Sequence, residues 1–153
     1  AIAEVISKLV VEEEENVPLF DLVQHSLEWL ESANKNYENI YWYFMTRFVR
    51  LSGYGFHIND CACCGNKIKN GSAFFSLAEG GVTCSSCTKS GMNKEISLES
   101  VHVLKAIFDK NPTTISNLRV SQKSAREIND LIDSYFKFHF DGYSSIQALK
   151  LMN

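Results

Sequence analysis

The residues best suited to chemistry are two pairs of cysteines, each with two residues between its members. The pairs are Cys61-x-x-Cys64 and Cys84-x-x-Cys87, and nineteen residues separate them. A Cys-x-x-Cys turn lets two thiolates converge on one ion, and two such turns complete a tetrahedral zinc shell with sulfur about 2.3 Å from the metal. The spacing lies within the range of zinc signatures. We therefore predict a Zn²⁺ site with four ligands: Cys61, Cys64, Cys84 and Cys87.

This zinc site is predicted to be structural rather than catalytic. A catalytic zinc keeps an open position beside three protein ligands, whereas four thiolates close the shell. The sequence also has no glycine-rich phosphate loop, no nucleophile elbow and no paired carboxylates around a histidine. We therefore expect that the chain is not an enzyme and that it has no catalytic residues.

Other uses of the cysteines stay open at this point. Disulfides are disfavoured, because nothing in the chain indicates secretion and a reducing compartment keeps thiols free. A thioredoxin-like redox motif would account for one pair but not both. Iron uses the same four thiolates in rubredoxin-like sites, so the sequence does not separate iron from zinc. The fifth cysteine, Cys63, is interpreted as a bystander, with an alternative ligand or an oxidation target as the other readings, and His57 is a weaker substitute ligand.

The segments on both sides of the cysteines have the periodicity of helices, with apolar residues three and four positions apart. Pro18 suits the first turn of one helix and Ser97 is a natural N-cap for another. Helical periodicity is expected to return after Gly91, with the next helix following Ser97. The predicted helices cover residues 1–11, 18–30, 37–51 and 98–108, a longer one from about Ser121 to a stop at Gly142, and a short final one at 146–151.

The helix predicted from Tyr37 to Leu51 is the richest in large side chains. Apolar residues occupy nearly every side of it, which favours a central helix packed by neighbours all round. The alternative is a stripe of exposed aromatic rings that stack on nucleic acid bases.

These elements predict a mainly α fold: a helical bundle with an inserted four-cysteine zinc-finger module. We divide the 153 residues into a first helical part at 1–56, the zinc-finger module at 57–92 and a second helical part at 93–153. No apolar run approaches the roughly 18 residues that a membrane span requires. Because the chain starts in helical rhythm without an initiator methionine, we expect a fragment of a larger protein, methionine removal being the alternative.

The net charge of −3 is unevenly distributed. Residues 1–40 carry nine acids and two bases, whereas residues 41–153 carry nine acids and thirteen bases. An acidic chain argues against a protein whose main task is to clamp a phosphate backbone. A basic face on the C-terminal two thirds remains open beside the simpler reading of a solvated surface. Its members would be Lys89, Lys94, Lys105, Lys110, Arg119, Lys123 and Arg126.

Glycine landmarks beside the cysteines extend the pattern beyond a plain zinc ribbon. They are Gly53-Tyr54-Gly55 before the first pair, Gly65 directly after it, and Gly80-Gly81-Val82 before the second pair. Together with the flanking helices, these motifs resemble the C-terminal part of the bacterial DNA repair protein family RecO. The resemblance covers essentially the whole chain, and its motifs are moderately specific.

The resemblance implies a recombination mediator that binds single- and double-stranded DNA and anneals complementary strands. It also implies two protein partners: RecR, with which RecA would be loaded, and the acidic tail of single-stranded-DNA-binding protein. A cytoplasmic, nucleoid-associated location in bacteria follows from the same resemblance. Two departures weaken it: the family's N-terminal OB domain is missing, and Gly55-Phe56 stands where many members have a proline.

Two other functional classes remain to be separated from the mediator. One is a zinc-stabilised protein-interaction or GTPase-activating module that does not act on DNA. A GTPase-activating module requires a catalytic arginine near the finger, and no arginine occurs between Arg50 and Arg119. The other class is electron transfer through bound iron, which visible absorbance would reveal.

Overall fold

The computed structural model describes residues 1–9, 16–68, 73–88, 93–109, 112–141 and 143. The helices of these residues are α1 (Ile2–Leu9), α2 (Val17–Ser32), α3 (Tyr37–Leu51), α4 (Leu98–Asp109), α5 (Pro112–Ser116) and α6 (Gln122–His139). The strands are β1 (Ala73–Ser76), β2 (Gly81–Cys84) and β3 (Asn93–Ile96). The prediction of a mainly helical chain is confirmed. The predicted stop at Gly142 and the final helix at 146–151 lie outside the described residues.

The first long helix, α2, begins where its sequence signals place it. The side-chain oxygen of Asn16 accepts a hydrogen bond from the backbone N–H of Leu19 at 3.0 Å, and Pro18 lies in the first turn. Such a cap satisfies one of the amide groups that a helix start leaves without a partner. The helix then packs against α3, where the rings of Trp29 and Tyr43 meet edge to face at 5.5 Å.

The central helix is α3, and it packs against α2, α4, α5 and α6. Its large side chains are buried, including Trp42, Phe44 and Met45, each with no exposed surface. Burial of this kind identifies the segment as core and disfavours the alternative of an exposed stacking stripe. A buried polar residue, Asn39, donates hydrogen bonds from Nδ2 to the carbonyl oxygens of Ile115 and Leu118 at 2.9 and 3.0 Å, which ties α5 to α3.

A three-stranded antiparallel sheet with the order β2-β1-β3 carries the cysteine-rich part of the chain. In the register of the middle strand, Phe75 lies opposite Val82 on one side and Lys94 on the other. Phe75 and Val82 have no exposed surface, so the sheet buries one face against the helices.

The helix predicted after the N-cap Ser97 is confirmed, but the strand that precedes it was not predicted from the sequence. Residues Asn93–Ile96 form β3, and α4 starts only at Leu98. This strand is short and mostly polar, so its sequence carries little strand signal, but it pairs with the second edge of β1. The Lys94 ammonium also donates to the hydroxyl of Ser134 and the carbonyl of Asp130 on α6. The pairing of β3 with β1 extends the sheet beyond residue 92, the predicted end of the zinc-finger module. The division of the chain into three parts stays a prediction.

The N-termini of α4 and α6 cap each other. The predicted N-cap Ser97 accepts from the N–H of Ser100 at 3.2 Å, and Ser121 caps α6 in the same way. A carboxylate from the opposite helix then binds each cap residue. Glu127 of α6 accepts from the N–H and hydroxyl of Ser97 at 2.9 and 2.7 Å, and Glu99 of α4 accepts from both groups of Ser121 at 2.9 and 2.8 Å.

Candidate metal centre

The first cysteine pair is positioned by a backbone segment that runs beside β2. The N–H of His57 donates to the carbonyl of Gly80, and the N–H of Val82 donates back to the carbonyl of His57, both at 2.8 Å. Further along, the N–H of Ala62 donates to the carbonyl of Val82 at 2.8 Å. These bonds hold the turn containing Cys61 and Cys64 against the strand that ends in Cys84.

Two adjacent glycines make this close approach possible. A Cβ atom on Gly81 would lie 2.5 Å from the carbonyl oxygen of His57, which no side chain could occupy without moving the backbone. Gly80 has a positive φ of 63°, and a Cβ there would lie 2.9 Å from the hydroxyl of Tyr135 on α6. The Gly80-Gly81 pair therefore serves both the cysteine turn and the contact between the sheet and the helices.

The sulfur atoms of Cys61, Cys64, Cys84 and Cys87 lie within 4.8 Å of one another. All five cysteines are free thiols, so no disulfide competes with the cluster. The Cys64 and Cys84 sulfurs are 3.9 Å apart. A tetrahedral ion with bonds of about 2.3 Å separates its sulfur ligands by about 3.8 Å, so the cluster has the dimensions of a four-thiolate metal site.

Backbone amide groups prepare Cys61 to be a thiolate. Cys61 is 1% exposed, and the N–H of Cys84 points at its sulfur at 3.4 Å. Burial alone would raise the pKa of this thiol, but the backbone N–H groups of Cys84, Cys64 and Cys63 outweigh burial and lower the pKa to about 6. The anionic ligand that a metal requires is thus stabilised by the protein itself.

The opposite shift occurs at Cys87. The neighbouring sulfurs of Cys64 and Cys84, followed by burial, raise the pKa of Cys87 above its ordinary value. Four thiolates this close repel one another unless a cation lies between them. The donor set therefore fits a divalent ion that prefers sulfur, such as zinc, and offers it no open coordination position.

The structure leaves Cys63 and His57 outside the cluster. Cys63 is exposed, and its backbone N–H rather than its sulfur acts on Cys61. The His57 ring binds the Asp60 carboxylate. A further histidine, His139, lies on α6, where its Nε2 is 3.0 Å from the carbonyl oxygen of Leu77 in the turn that joins β1 to β2.

One surface feature was not predicted from the sequence: a groove of about 530 Å³ between α2 and the C-terminal half of α3. Its apolar lining comes from Pro18, Leu22, Tyr43 and Leu51, and its ionisable lining from Asp21, His25, Arg47 and Arg50. These residues come from separate turns of two helices, and no short motif joins them. We call this surface the α2–α3 groove.

Comparison with known proteins identifies the family. The model of the family "Recombination protein O C terminal" matches residues 1–144. The chain belongs to the RecO C-terminal family. None of the helices in the described ranges combines the length and apolarity of a membrane span. No solved structure matches the chain with significance.

Three similar curated proteins carry the name "DNA repair protein RecO". The chain is 27% identical over 145 residues to that of Caldanaerobacter subterraneus, covering 92% of this chain and 56% of the relative. It is 28% identical over 141 residues to that of Desulforamulus reducens, covering 92% and 54%. For Dehalococcoides mccartyi strain BAV1 the identity is 28% over 127 residues, covering 83% and 50%. The chain therefore spans about half the length of these RecO relatives.

The Gly53-Tyr54 and Gly80-Gly81 motifs, which carry the resemblance to RecO, lie close together in the structure. Gly53 ends α3 with φ of 86°, and the carbonyl of the next residue, Tyr54, accepts a hydrogen bond from the Tyr135 hydroxyl at 2.9 Å. Burial, followed by the charge of Tyr54, raises the pKa of Tyr135 to about 12, so this hydroxyl stays protonated and keeps donating. The same hydroxyl lies against Gly80. The Gly-Tyr and Gly-Gly motifs are thus two sides of one junction between α3, α6 and the sheet.

Proposed function

We propose that the chain is the C-terminal module of a bacterial recombination mediator, which acts in DNA repair by binding DNA and partner proteins rather than by catalysis. The observation that carries this proposal is the RecO family match over residues 1–144. The proposal includes two specific activities: strand annealing, and the loading of RecA together with RecR. Family membership favours this proposal over the GTPase-activating alternative.

In this proposal the four clustered cysteines hold Zn²⁺ as a structural ion. Support comes from the sulfur separations and from the amide groups directed at Cys61. Zinc would link the turn at 61–64 to the end of β2 and so keep the sheet closed against α6. Metal analysis by mass spectrometry tests the identity of the ion, and a coloured protein with iron content would contradict zinc.

The α2–α3 groove is our proposed docking site for the acidic tail of single-stranded-DNA-binding protein. Leu22 and Leu51 offer apolar surface in the groove, and Leu51 is 46% exposed. Arg47 is already oriented: its guanidinium lies over the Tyr43 ring at 5.2 Å and donates to the carbonyl of Phe108 at 2.8 Å. Arg50 is exposed beside it. Two arginines against one aspartate favour an anionic partner.

A labelled tail peptide tests this docking site by fluorescence anisotropy on the zinc-loaded chain. We expect salt-dependent binding that Arg50→Gln weakens about tenfold, since a hydrogen bond to a charged group is worth roughly 1.5–3 kcal/mol. The matched control is Lys123→Gln on α6, where the lysine side chain is 79% exposed and away from the groove lining. Equal weakening by both variants would show general charge attraction and contradict the assigned groove.

DNA binding is tested separately with labelled single- and double-stranded oligonucleotides over a range of salt concentrations. Affinity should fall with salt, because phosphate contacts release counterions. Lack of binding to both DNA and the tail peptide at low ionic strength, for this chain and for the chain joined to a RecO N-terminal half, would overturn the mediator proposal.

A further inference from the structure

A second cavity, separate from the metal centre and from the α2–α3 groove, lies where α2 ends and the chain turns toward α3. Its volume is about 340 Å³, near the lower end of the roughly 300–1,000 Å³ range of ligand pockets. Its lining includes Trp29, Ser32, Asn34, Lys35, Ser116 and Asn117. These side chains are an indole, two hydroxyls, two carboxamides and one cation; Ala33 completes the lining, which contains no carboxylate.

The aromatic wall of the cavity is Trp29. The chain has two tryptophans, and Trp42 is fully buried whereas Trp29 is only partly buried. The Trp29 ring is held by its edge-to-face contact with Tyr43, at 5.5 Å and 79°, on the side of the core. An indole that is fixed in this way and still lines a cavity is a preformed stacking surface, since little side-chain entropy remains to be lost on binding.

The polar walls are joined to each other. Asn36 adopts a left-handed conformation with φ of 57°, and its Nδ2 donates to the carbonyl of Ser116 at 2.7 Å. This bond ties the turn after α2 to the end of α5, so Asn34 and Asn117 lie in walls with a fixed separation. Carboxamides present both donors and acceptors, as the edge of a nucleobase does. Lys35 is exposed at the same turn and supplies positive charge.

We propose that this cavity binds one unstacked base of single-stranded DNA, with the base on Trp29, its polar edge toward the carboxamides and the adjoining phosphate near Lys35. This inference rests on the proposed DNA binding and names one subsite of it. A base fits the observations better than a peptide does, because the cavity is smaller and less apolar than the α2–α3 groove, and because stacking accepts any base face. The α2–α3 groove differs from this cavity in having a larger share of apolar lining, which suits a peptide better.

Tryptophan emission reports on this subsite directly, because Trp42 is fully buried whereas Trp29 lines the cavity. Addition of oligo(dT) or of thymidine monophosphate to the zinc-loaded chain should quench part of the emission, and the quenched component should be absent in Trp29→Phe. Lys35→Gln should weaken oligo(dT) binding several-fold and reduce the salt slope by about one phosphate contact. Lys67→Gln serves as the matched control, because Lys67 is exposed and lies outside the cavity lining.

Trp29→Leu should weaken oligo(dT) binding about tenfold, within the range expected for one stacked base, whereas Trp29→Phe should retain most of the affinity. Because Trp29 also packs against the core, urea unfolding of both variants and the exposed Asn34→Ala variant separate loss of binding from loss of folding. Asn34→Ala should lower affinity for thymidine monophosphate at unchanged stability.

The outcomes are distinguishable. If oligo(dT) binds by anisotropy while Trp29 emission stays unchanged and Trp29→Leu binds normally, the subsite is wrong and DNA binding stands. If thymidine monophosphate quenches Trp29 but no oligonucleotide binds, the cavity takes free nucleotides only, and both the DNA subsite and the DNA-binding proposal fail. Absence of both signals overturns both. Quenching by the acidic tail peptide instead of by nucleotides would also overturn the subsite.

Discussion

The hydroxyl of Tyr135 donates a hydrogen bond to the carbonyl oxygen of Tyr54 at 2.9 Å. This single bond joins the C-terminal half of α6 to Tyr54, which lies three residues beyond the end of α3. A Cβ on Gly80 would lie 2.9 Å from the same hydroxyl, so the sheet is part of the same contact. The cysteine-rich sheet is therefore attached to the helices through ordinary packing as well as through its proposed ion.

Replacing Gly80 with alanine should destabilise the chain by about 2–3 kcal/mol. A left-handed conformation costs a residue with a Cβ about 1–2 kcal/mol, and the new methyl group would also disturb the Tyr135 hydrogen bond, worth about 1 kcal/mol. The measurement is the free energy of unfolding in urea. Gly53→Ala is the matched control, because φ is 86° there and no atom lies within 4 Å of the new Cβ. Equal losses in the two variants would show that the Tyr135 contact contributes nothing.

Metal binding should depend on Cys64 and not on its neighbour Cys63. We expect Cys64→Ser to lose most of its bound zinc, and Cys63→Ser to keep one ion per chain, because only the first lies in the sulfur cluster. Zinc content after dialysis checks this. In the wild type, a chelator should raise hydrogen exchange in residues 57–88 before it does so in α3. Loss of zinc from both variants would place Cys63 among the ligands.

Stability should fall with acid through Glu127 and Glu99. Burial would raise the pKa of Glu127, but hydrogen bonds from Ser100 and Ser97 outweigh it and lower the pKa. The N–H and hydroxyl of Ser121 lower the pKa of Glu99. A carboxylate with a lowered folded pKa adds stability above its unfolded pKa, and this stability is lost as pH falls through the folded value.

Glu127→Gln should therefore flatten the decrease in unfolding free energy from pH 6 toward pH 3, compared with the wild type. The control is Glu95→Gln, since Glu95 is exposed on β3. Because zinc also leaves thiolates in acid, the comparison is made on chelator-treated protein as well. If the unfolding free energy of Glu127→Gln falls with pH as steeply as that of the wild type, this carboxylate does not have the proposed role.

Asn39→Ala should cost about 1–3 kcal/mol of unfolding free energy, because one buried and one partly buried carbonyl oxygen on or beside α5 lose their donor. The loss should appear in urea unfolding and as faster hydrogen exchange at residues 114–118. Asn59→Ala, at an exposed position, controls for the substitution itself. An unchanged exchange rate in α5 would mean that Asn39 does not hold this helix.

Local patterns were sufficient for the cysteine cluster and for most helices. A Cys-x-x-Cys pair and an amphipathic repeat are both fixed by neighbours within a few residues, so sequence spacing reports them directly. The helix starts at Pro18 and Ser121 are of this kind.

Features that depend on distant residues were missed for a physical reason. The four residues of β3 become a strand because β1 presents a free edge, and the five residues of α5 form beside Asn39, 76 positions earlier. Glu99 had no recognisable partner in the sequence, because Ser121 lies 22 residues away. The α2–α3 groove likewise combines turns of two helices. Such arrangements follow from tertiary packing, which periodicity does not encode.

The pairing of β3 with β1 has a consequence for dissecting this molecule. Deleting the cysteine-rich segment at residue 92 would leave Asn93–Ile96 as an orphan strand with its ladder groups unsatisfied, directly before α4. Exposed strand edges of this kind recruit other chains and promote aggregation. A truncation that fails to stay monomeric would then report on a broken sheet rather than on the absent ion.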